Sequence, residues 1–277
     1  MKKTLFTLLS ITLFSCNGQT QNKIDFNLHY TPETVYTLTM AQNSSNKILY
    51  SGSEEFLNSL KERGTQNPTI SKDSSIMESL TVTDKETKGR IPLTMEFVKT
   101  GSESLPDRTV LHGYCLPNKG GMPVLDSIVS EGMDYKSRQM LLNSLQSTFK
   151  QFDLPRKKLK VGESFSQELP LSIPVADVII DMNIMNEYDL VEILEDTAYF
   201  NIKQTCTMTS TFDQMKVNAS GSGNGQMNYL ISKNFYSLYH LDLNIDMSME
   251  VNGIELELKT SSSVSQKVKI ERKKASR

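Results

Sequence analysis

The sequence predicts a mainly β fold with minor α: a long-stranded, curved antiparallel sheet or open barrel packed against one or two helices. Three observations lead there. Period-two alternation of apolar and polar residues recurs along the chain, the mark of strands with one buried face. Short turn-like pairs separate consecutive alternating runs in the C-terminal half, which implies an antiparallel meander. One run, residues 175–185, would span ~36 Å at ~3.3 Å per residue, about twice a typical strand, and long strands favour strong curvature.

The best-specified element lies near the C-terminus. Leu241, Leu243, Ile245, Met247, Met249 and Val251 alternate with Asp242, Asn244, Asp246, Ser248 and Glu250. Asn252-Gly253 follows, the pair that best tolerates the two positive φ angles of a tight hairpin turn. Ile254, Leu256 and Leu258 then resume the apolar phase. A two-residue loop sets Val251 opposite Ile254, Met249 opposite Leu256 and Met247 opposite Leu258, so both strands offer apolar side chains to one face. Leu241, Leu243, Ile245, Met247, Met249, Leu256 and Leu258 are therefore the candidate face for an apolar ligand. Beyond Leu258 the phase continues as Thr260 and Ser262 before Val264, so the face grows smaller and more polar away from the turn. The hairpin reads as the closing arm of the meander.

The chain opens with Lys2 and Lys3 and then an apolar run, 5–14, too short to span a bilayer as a resident helix. The following Leu13-Phe14-Ser15-Cys16 resembles the lipobox of bacterial lipoproteins, although Phe14 stands where a smaller residue is usual. That resemblance implies cleavage before Cys16 and acylation of its thiol; the alternative is an ordinary leader with Cys16 incidental. Two acyl chains hold a protein stably at a membrane. The expected organisation is a signal peptide over 1–15, a lipidated cysteine and linker over 16–23, one β-rich domain over 24–272, and a basic tail over 273–277. The absence of an acidic run after Cys16 favours an outer-membrane lipoprotein facing the periplasm.

Losing Lys2 and Lys3 leaves 28 of the 30 basic residues against 32 acidic ones, a net charge of −4. Such a balance gives no overall attraction to nucleic acid. The basic residues Lys267, Lys269, Arg272, Lys273, Lys274 and Arg277 read as a solvated tail, with contact to anionic headgroups or cell-wall polymer as the alternative. Export places the chain in an oxidising compartment. Cys115 and Cys206 are a candidate disulfide there, or else two separate buried thiols.

In chain order, Ile24, Phe26, Leu28 and Tyr30 form a first alternating strand, and Tyr36, Leu38 and Met40 a second. Asn43-Ser44-Ser45-Asn46 has turn composition. Ser53 is an N-cap candidate before a short helix with Glu54 and Glu55 in its first turn, Lys61 and Arg63 in its last, and Gly64 as the stop. Residues 65–75 read as a loop. Ile76, Leu80 and Val82 suggest a strand, and Ile91, Leu93, Met95 and Phe97 the next, joined by a hairpin at 84–89. Residues 109–115 are a further β candidate. The clearest helix covers 135–152, with Asp134 as N-cap and Leu141, Leu145, Phe149 and Phe152 at helical spacing. Pro170 and Pro174 flank a loop, Asn186-Glu187 and Glu195-Asp196 read as turns, and Gly221-Ser222-Gly223-Asn224-Gly225 as a hinge or glycine kink.

Leu154-Pro155-Arg156-Lys157-Lys158-Leu159-Lys160-Val161-Gly162-Glu163-Ser164-Phe165 is the most distinctive local motif. It resembles a segment of uncharacterised exported lipoproteins of Bacteroidetes-type bacteria, in which Leu-Pro precedes a Lys-rich strand and a Gly-acid-hydroxyl-aromatic turn. The order of lipobox, N-terminal β blocks, helix, motif and β-rich C-terminal half is similar too. The resemblance implies an exported β-rich domain and no activity.

Chemistry-bearing residues do not converge in the sequence. His29, His112 and His240 lack metal-ligand spacing, and His112 and Cys115, three apart on a strand, would face opposite sides. The glycine run lacks the spacing and lysine of a phosphate cradle. Asp242, Asn244 and Asp246 lack the glycine that lets a calcium loop curl, because Met247 occupies that place. No cofactor is expected. Fourteen methionines and no tryptophan suit either an adaptable apolar surface or plain core filling. The expected role is a membrane-anchored, non-enzymatic structural or binding module, with lipid or an envelope protein as partner. A periplasmic carrier of lipid or another apolar ligand is the alternative, and an enzyme the third reading. A large apolar cavity between helix and sheet would favour the carrier, a solid core the module.

Overall fold

A computed structural model describes residues 22–101, 105–117, 121–151, 154–175, 178–212, 215–251 and 253–274. Cys16, Phe152 and Asn252 lie outside the described residues, as do 1–15 and 275–277. Among the described residues, thirteen strands and two α-helices follow in order: β1 Lys23–Phe26, β2 Thr34–Ser51, α1 Glu54–Glu62, β3 Thr69–Thr83, β4 Ile91–Lys99, β5 Thr109–Cys115, β6 Val124–Val129 and α2 Tyr135–Gln151. Then come β7 Lys157–Lys160, β8 Ser164–Val175, β9 Val178–Leu194, β10 Thr197–Phe212, β11 Met215–Leu230, β12 Phe235–Val251 and β13 Ile254–Arg272.

Eleven strands make one sheet in the order β6-β5-β4-β3-β2-β13-β12-β11-β10-β9-β8, and β1 pairs with β7 in a separate ribbon. Every pairing is antiparallel. Two meanders, β2 to β6 and β8 to β13, meet where β13 runs along β2 from Glu255↔Ser51 to Arg272↔Thr34. The outer strands β6 and β8 do not pair with each other, so the sheet is not closed into a barrel. It is strongly curled all the same. Laid flat, β6 and β8 would stand ~48 Å apart at ~4.8 Å per strand. Yet Phe26 and Tyr30, four residues apart, touch Phe165 of β8 and Tyr36 of β2, strands that six such spacings would separate in a flat sheet.

The N-terminal segment fills the curl. Ile24, Phe26, Leu28 and Tyr30 are all buried, and Phe26 is 0% exposed. The Phe26 ring lies 5.2 Å from Phe165, 5.4 Å from Phe200 and 4.8 Å from Tyr229, centroid to centroid, so aromatic area from three strands converges on it. Tyr30 does the same for Tyr36 and Phe235, at 4.8 and 5.0 Å. Only 23–26 of this alternating stretch belongs to a strand; Leu28 and Tyr30 follow it as an extended plug. Gly121 presses on that plug: a Cβ there would sit 1.6 Å from the Leu28 carbonyl oxygen.

The Lys-rich motif builds the plug's partner strand. Register Ile24↔Leu159 turns Leu159 inward, and Gly162, at φ 91°, swings the chain into β8. Phe165 then stacks on Tyr188 at 4.8 Å. Helix α2 begins as expected, with the Ser137 N–H donating to Asp134 Oδ1 at 3.0 Å. Gln146 ties the helix to the sheet edge. The Leu125 N–H donates to its Oε1 at 2.6 Å, and its Nε2 donates to the Pro123 carbonyl at 3.2 Å. Part of the outer backbone of β6 is thus satisfied by a side-chain amide in place of another strand. Helix α1 carries Ser53 as its N-cap, accepting from the Phe56 N–H at 3.2 Å. No helix among the described residues is long and apolar enough to cross a membrane.

Several expectations are corrected. Residues 43–46 do not turn, and β2 runs through them paired with both β13 and β3. Two complete backbone ladders outweigh the local turn preference of Asn and Ser. For the same reason 221–225 is no hinge but the middle of β11, and Asn186-Glu187 sits inside β9. The loop at 65–75 shrinks, since β3 starts at Thr69. In β3 the apolar Ile76, Leu80 and Val82 are not the buried set. Ser79, Thr81 and Thr83 are, between Leu38 and Phe97 and between Tyr36 and Met95, whose bulk leaves room only for small residues. Thr83 accepts from the Thr34 N–H at 2.9 Å and donates to the Thr31 carbonyl at 2.7 Å. Pro170 and Pro174 lie within β8, an edge strand, where a missing N–H can face the open side. Lys267, Lys269 and Arg272 belong to β13, and Lys273 pairs with Asp84, so these residues are not a fraying tail. The β12–β13 hairpin has the expected register, Val251↔Ile254 through Met247↔Leu258, but it stands at the centre of the sheet, where its second strand joins the two meanders.

Candidate functional site

The long central strands outrun the plug, and their inner face can be followed row by row through the register. The main core runs through the row Leu190, Phe200, Met227 and Tyr239, continuing through Gln266 to Met40, and ends one row on at Tyr188, Ile202 and Leu241. Gln266 is held in place by the Tyr236 hydroxyl, which donates to its Oε1 at 2.7 Å. Burial pushes Tyr239 up to about 12. Two rows beyond Tyr239, the face turns polar. Asn186, Gln204, Gly223, Leu243, Ser262 and Ser44 succeed one another across six strands. Asn186 is 3% exposed and accepts from Gln204 Nε2 at 2.7 Å, so its burial is compensated.

Beyond that row a second apolar cluster begins: Met182, Cys206, Met208, Val217 and Ala219 are buried, with Ile184, Ile245, Met247 and Met249 partly buried against them. Register carries it on to Leu258 and Ile48, and to Leu256 and Tyr50, all half-buried. Helix α1 stands at this end, with Phe56 6.4 Å from Tyr50, ring to ring. The result is a methionine-lined shelf on the inner face, separated from the main core.

Close approach of β11 to β12 shapes the shelf. Gly221, Gly223 and Gly225 all present the inner face, and a Cβ on Gly225 would lie 2.0 Å from the His240 carbonyl oxygen. A side chain cannot be accommodated there without moving backbone. The glycine run is a kink of the sheet, the second of the two roles its composition allowed.

The predicted ligand face divides accordingly. Leu241 packs on the main core, Leu243 sits in the polar row, and Ile245, Met247 and Met249 belong to the shelf with Leu256 and Leu258. The residues least visible to sequence reasoning were Val217 and Ala219, hidden by reading the strand that carries them as broken by a hinge.

The remaining candidates stay apart. Cys115 and Cys206 are both free and buried, Cys115 in the main core and Cys206 in the shelf, so the candidate disulfide is not formed. Burial raises both thiols, Cys115 to about 12, which keeps it protonated at neutral pH. His112 is exposed on the face opposite Cys115. His240 Nε2 lies 3.1 Å from Asp242, Asn244 accepts from the Ser261 hydroxyl at 2.7 Å, and Asp246 faces Lys259 at 3.9 Å. These polar side chains stand in a row along β12 and meet partners on β12 itself and on β13.

No protein-family model matches the chain, and no curated protein matches it in sequence. Among solved structures, the outer membrane protein opdK from Pseudomonas aeruginosa aligns with 85% of this chain and 99% of its own at 8% identity, with a TM-score of 0.17. A score that low carries no argument.

Proposed function

We propose that this protein is a non-enzymatic structural or binding module of the bacterial envelope, exported and held at the outer membrane through an acylated Cys16, facing the periplasm. The observation that supports this reading is the plug. Where a carrier would keep a cavity between helix and sheet, the base of the curl is packed solid by the chain's own Ile24, Phe26, Leu28 and Tyr30. The second reading, a carrier of lipid or another apolar ligand, draws on the shelf, where flexible methionines offer a half-exposed apolar surface. Native mass spectrometry of protein extracted from its own membrane separates the two. The module reading expects the acylated chain alone. A stoichiometric bound lipid, lost on substituting Met247 and Met249 with Ser, would instead establish the carrier.

A further inference from the structure

The β1–β7 ribbon turns its apolar side chains Ile24, Phe26 and Leu159 into the core, and its other side is basic. Lys23, Arg156, Lys158 and Lys160 are exposed there, against Asp25 and Glu163 among the described residues, whereas Lys157, paired with Phe26, is exposed on the other side of the ribbon. Asp25 is engaged by Arg156, at 2.7 Å, and its carboxyl is held below the usual carboxylate range by that hydrogen bond and by the nearby charges of Arg156 and Lys158. Glu163 turns back to accept from the Lys160 N–H at 2.8 Å. Both acids are thus drawn into the ribbon's own framework, and the lysine ammonium groups dominate its field.

The position of this patch matters as much as its sign. Asn22 accepts from the Val161 N–H at 3.0 Å, so the chain leaves the fold towards Cys16 at the same end as Lys160. Cys16 and Lys23 are seven Cα-to-Cα steps apart. Fully extended they reach ~25 Å, and less when relaxed. An anchor at Cys16 therefore confines this ribbon, before any other part of the sheet, to the neighbourhood of the lipid headgroups.

We propose that the outward face of the β1–β7 ribbon is a docking surface for anionic phospholipid headgroups, which orients the domain on the membrane. Short-range attraction of clustered lysines to an anionic surface acts within about 8 Å at physiological salt, and the tether supplies that proximity. The orienting role rests on the reading of Cys16 as the anchor; the affinity of the ribbon for anionic lipid does not.

Both parts can be tested separately. A non-acylated chain beginning at Asn17 keeps every described strand and helix. It should cosediment with mixed phosphatidylcholine–phosphatidylglycerol vesicles and not with phosphatidylcholine alone, and release as salt is raised. Lys23→Glu, Lys158→Glu and Lys160→Glu together should weaken that binding by about tenfold or more. The charge-matched triple Lys72→Glu, Lys85→Glu and Lys88→Glu, at exposed sites far along the chain, should leave most of it intact. Equal loss in both triples, or equal binding to neutral vesicles, overturns the proposal. For the full acylated chain in the same mixed vesicles, Lys23, Lys158 and Lys160 should be shielded from an amine-reactive reagent relative to detergent solution. Unchanged reactivity would overturn the orienting role. Palmitate labelling lost on Cys16→Ala tests the anchor independently of the ribbon.

Discussion

The two ends of the same long strands meet different fates. At the base, the inner face of the sheet is covered by the segment 24–30 and by Leu159, and residues such as Phe26, Leu111, Leu190 and Tyr229 are wholly buried. At the far end the same strands carry Met247, Met249, Leu256 and Leu258 half-buried, with only the curl of the sheet and α1 for shelter. A sheet needs a second layer to bury a face completely. The plug provides that layer for half of this sheet, whereas in the other half Gly221, Gly223 and Gly225 let β11 approach β12 closely.

The largest expected effect tests that asymmetry directly. Phe26→Ala removes the ring on which Phe165, Phe200 and Tyr229 converge, and should cost about 3–5 kcal/mol in urea unfolding. Met247→Ala on the shelf should cost about 1 kcal/mol, since only part of its side chain leaves water on folding. Similar costs at the two sites would mean that the ends are equally closed. Gly225→Val should destabilise by about 1–3 kcal/mol, because the new side chain meets the His240 carbonyl. If the kink shapes the shelf, this variant should also expose Cys206 to thiol reagents while leaving Cys115 protected.

A smaller, graded effect is expected in alkali. Burial raises Cys115 from an ordinary 9.0, and Tyr229 from 10.0, to about 12 each. Below pH 9 both groups are protonated in the folded and the unfolded chain, so their contribution to stability is fully present. As pH rises, the unfolded chain loses these protons first, and stability falls by about 1.4 kcal/mol per pH unit for each group until the folded chain titrates too. Unfolding midpoints measured from pH 8 to pH 12 should drop in that window, and Phe200→Leu, which loosens the packing around Tyr229 through Phe26, should end the drop at lower pH and make it smaller.

The sequence made some of these elements legible and hid others for physical reasons. Asn252-Gly253 fixed the hairpin register because a two-residue turn leaves no freedom, and Asp134 and Ser53 marked helix starts because a cap acts within one turn. Residues 43–46 and 221–225 misled because turn composition is a local preference, whereas their strands are paired along both edges by partners distant in sequence. The inward phase of β3 was hidden because Ser79, Thr81 and Thr83 lie beneath bulky neighbours on β2 and β4, which no single-strand pattern contains. The ligand face was half legible: alternation identified the side chains on one side of β12 and β13, but not the polar row through Asn186 and Gln204 that divides it. The plug was hidden too, since Ile24 to Tyr30 alternate as a strand would and nothing local says that they fill the curl.

Amide hydrogen exchange read by mass spectrometry tests the account most directly, because it compares both ends of each strand in one sample. The account predicts slow exchange in 24–30 and in the neighbouring parts of β9 to β12, at rates set by global unfolding, with markedly faster exchange in 44–51 and 254–262. Fast exchange in 24–30 alongside an intact sheet would show that the segment leaves the curl, and would contradict the sealed base on which the proposed function rests.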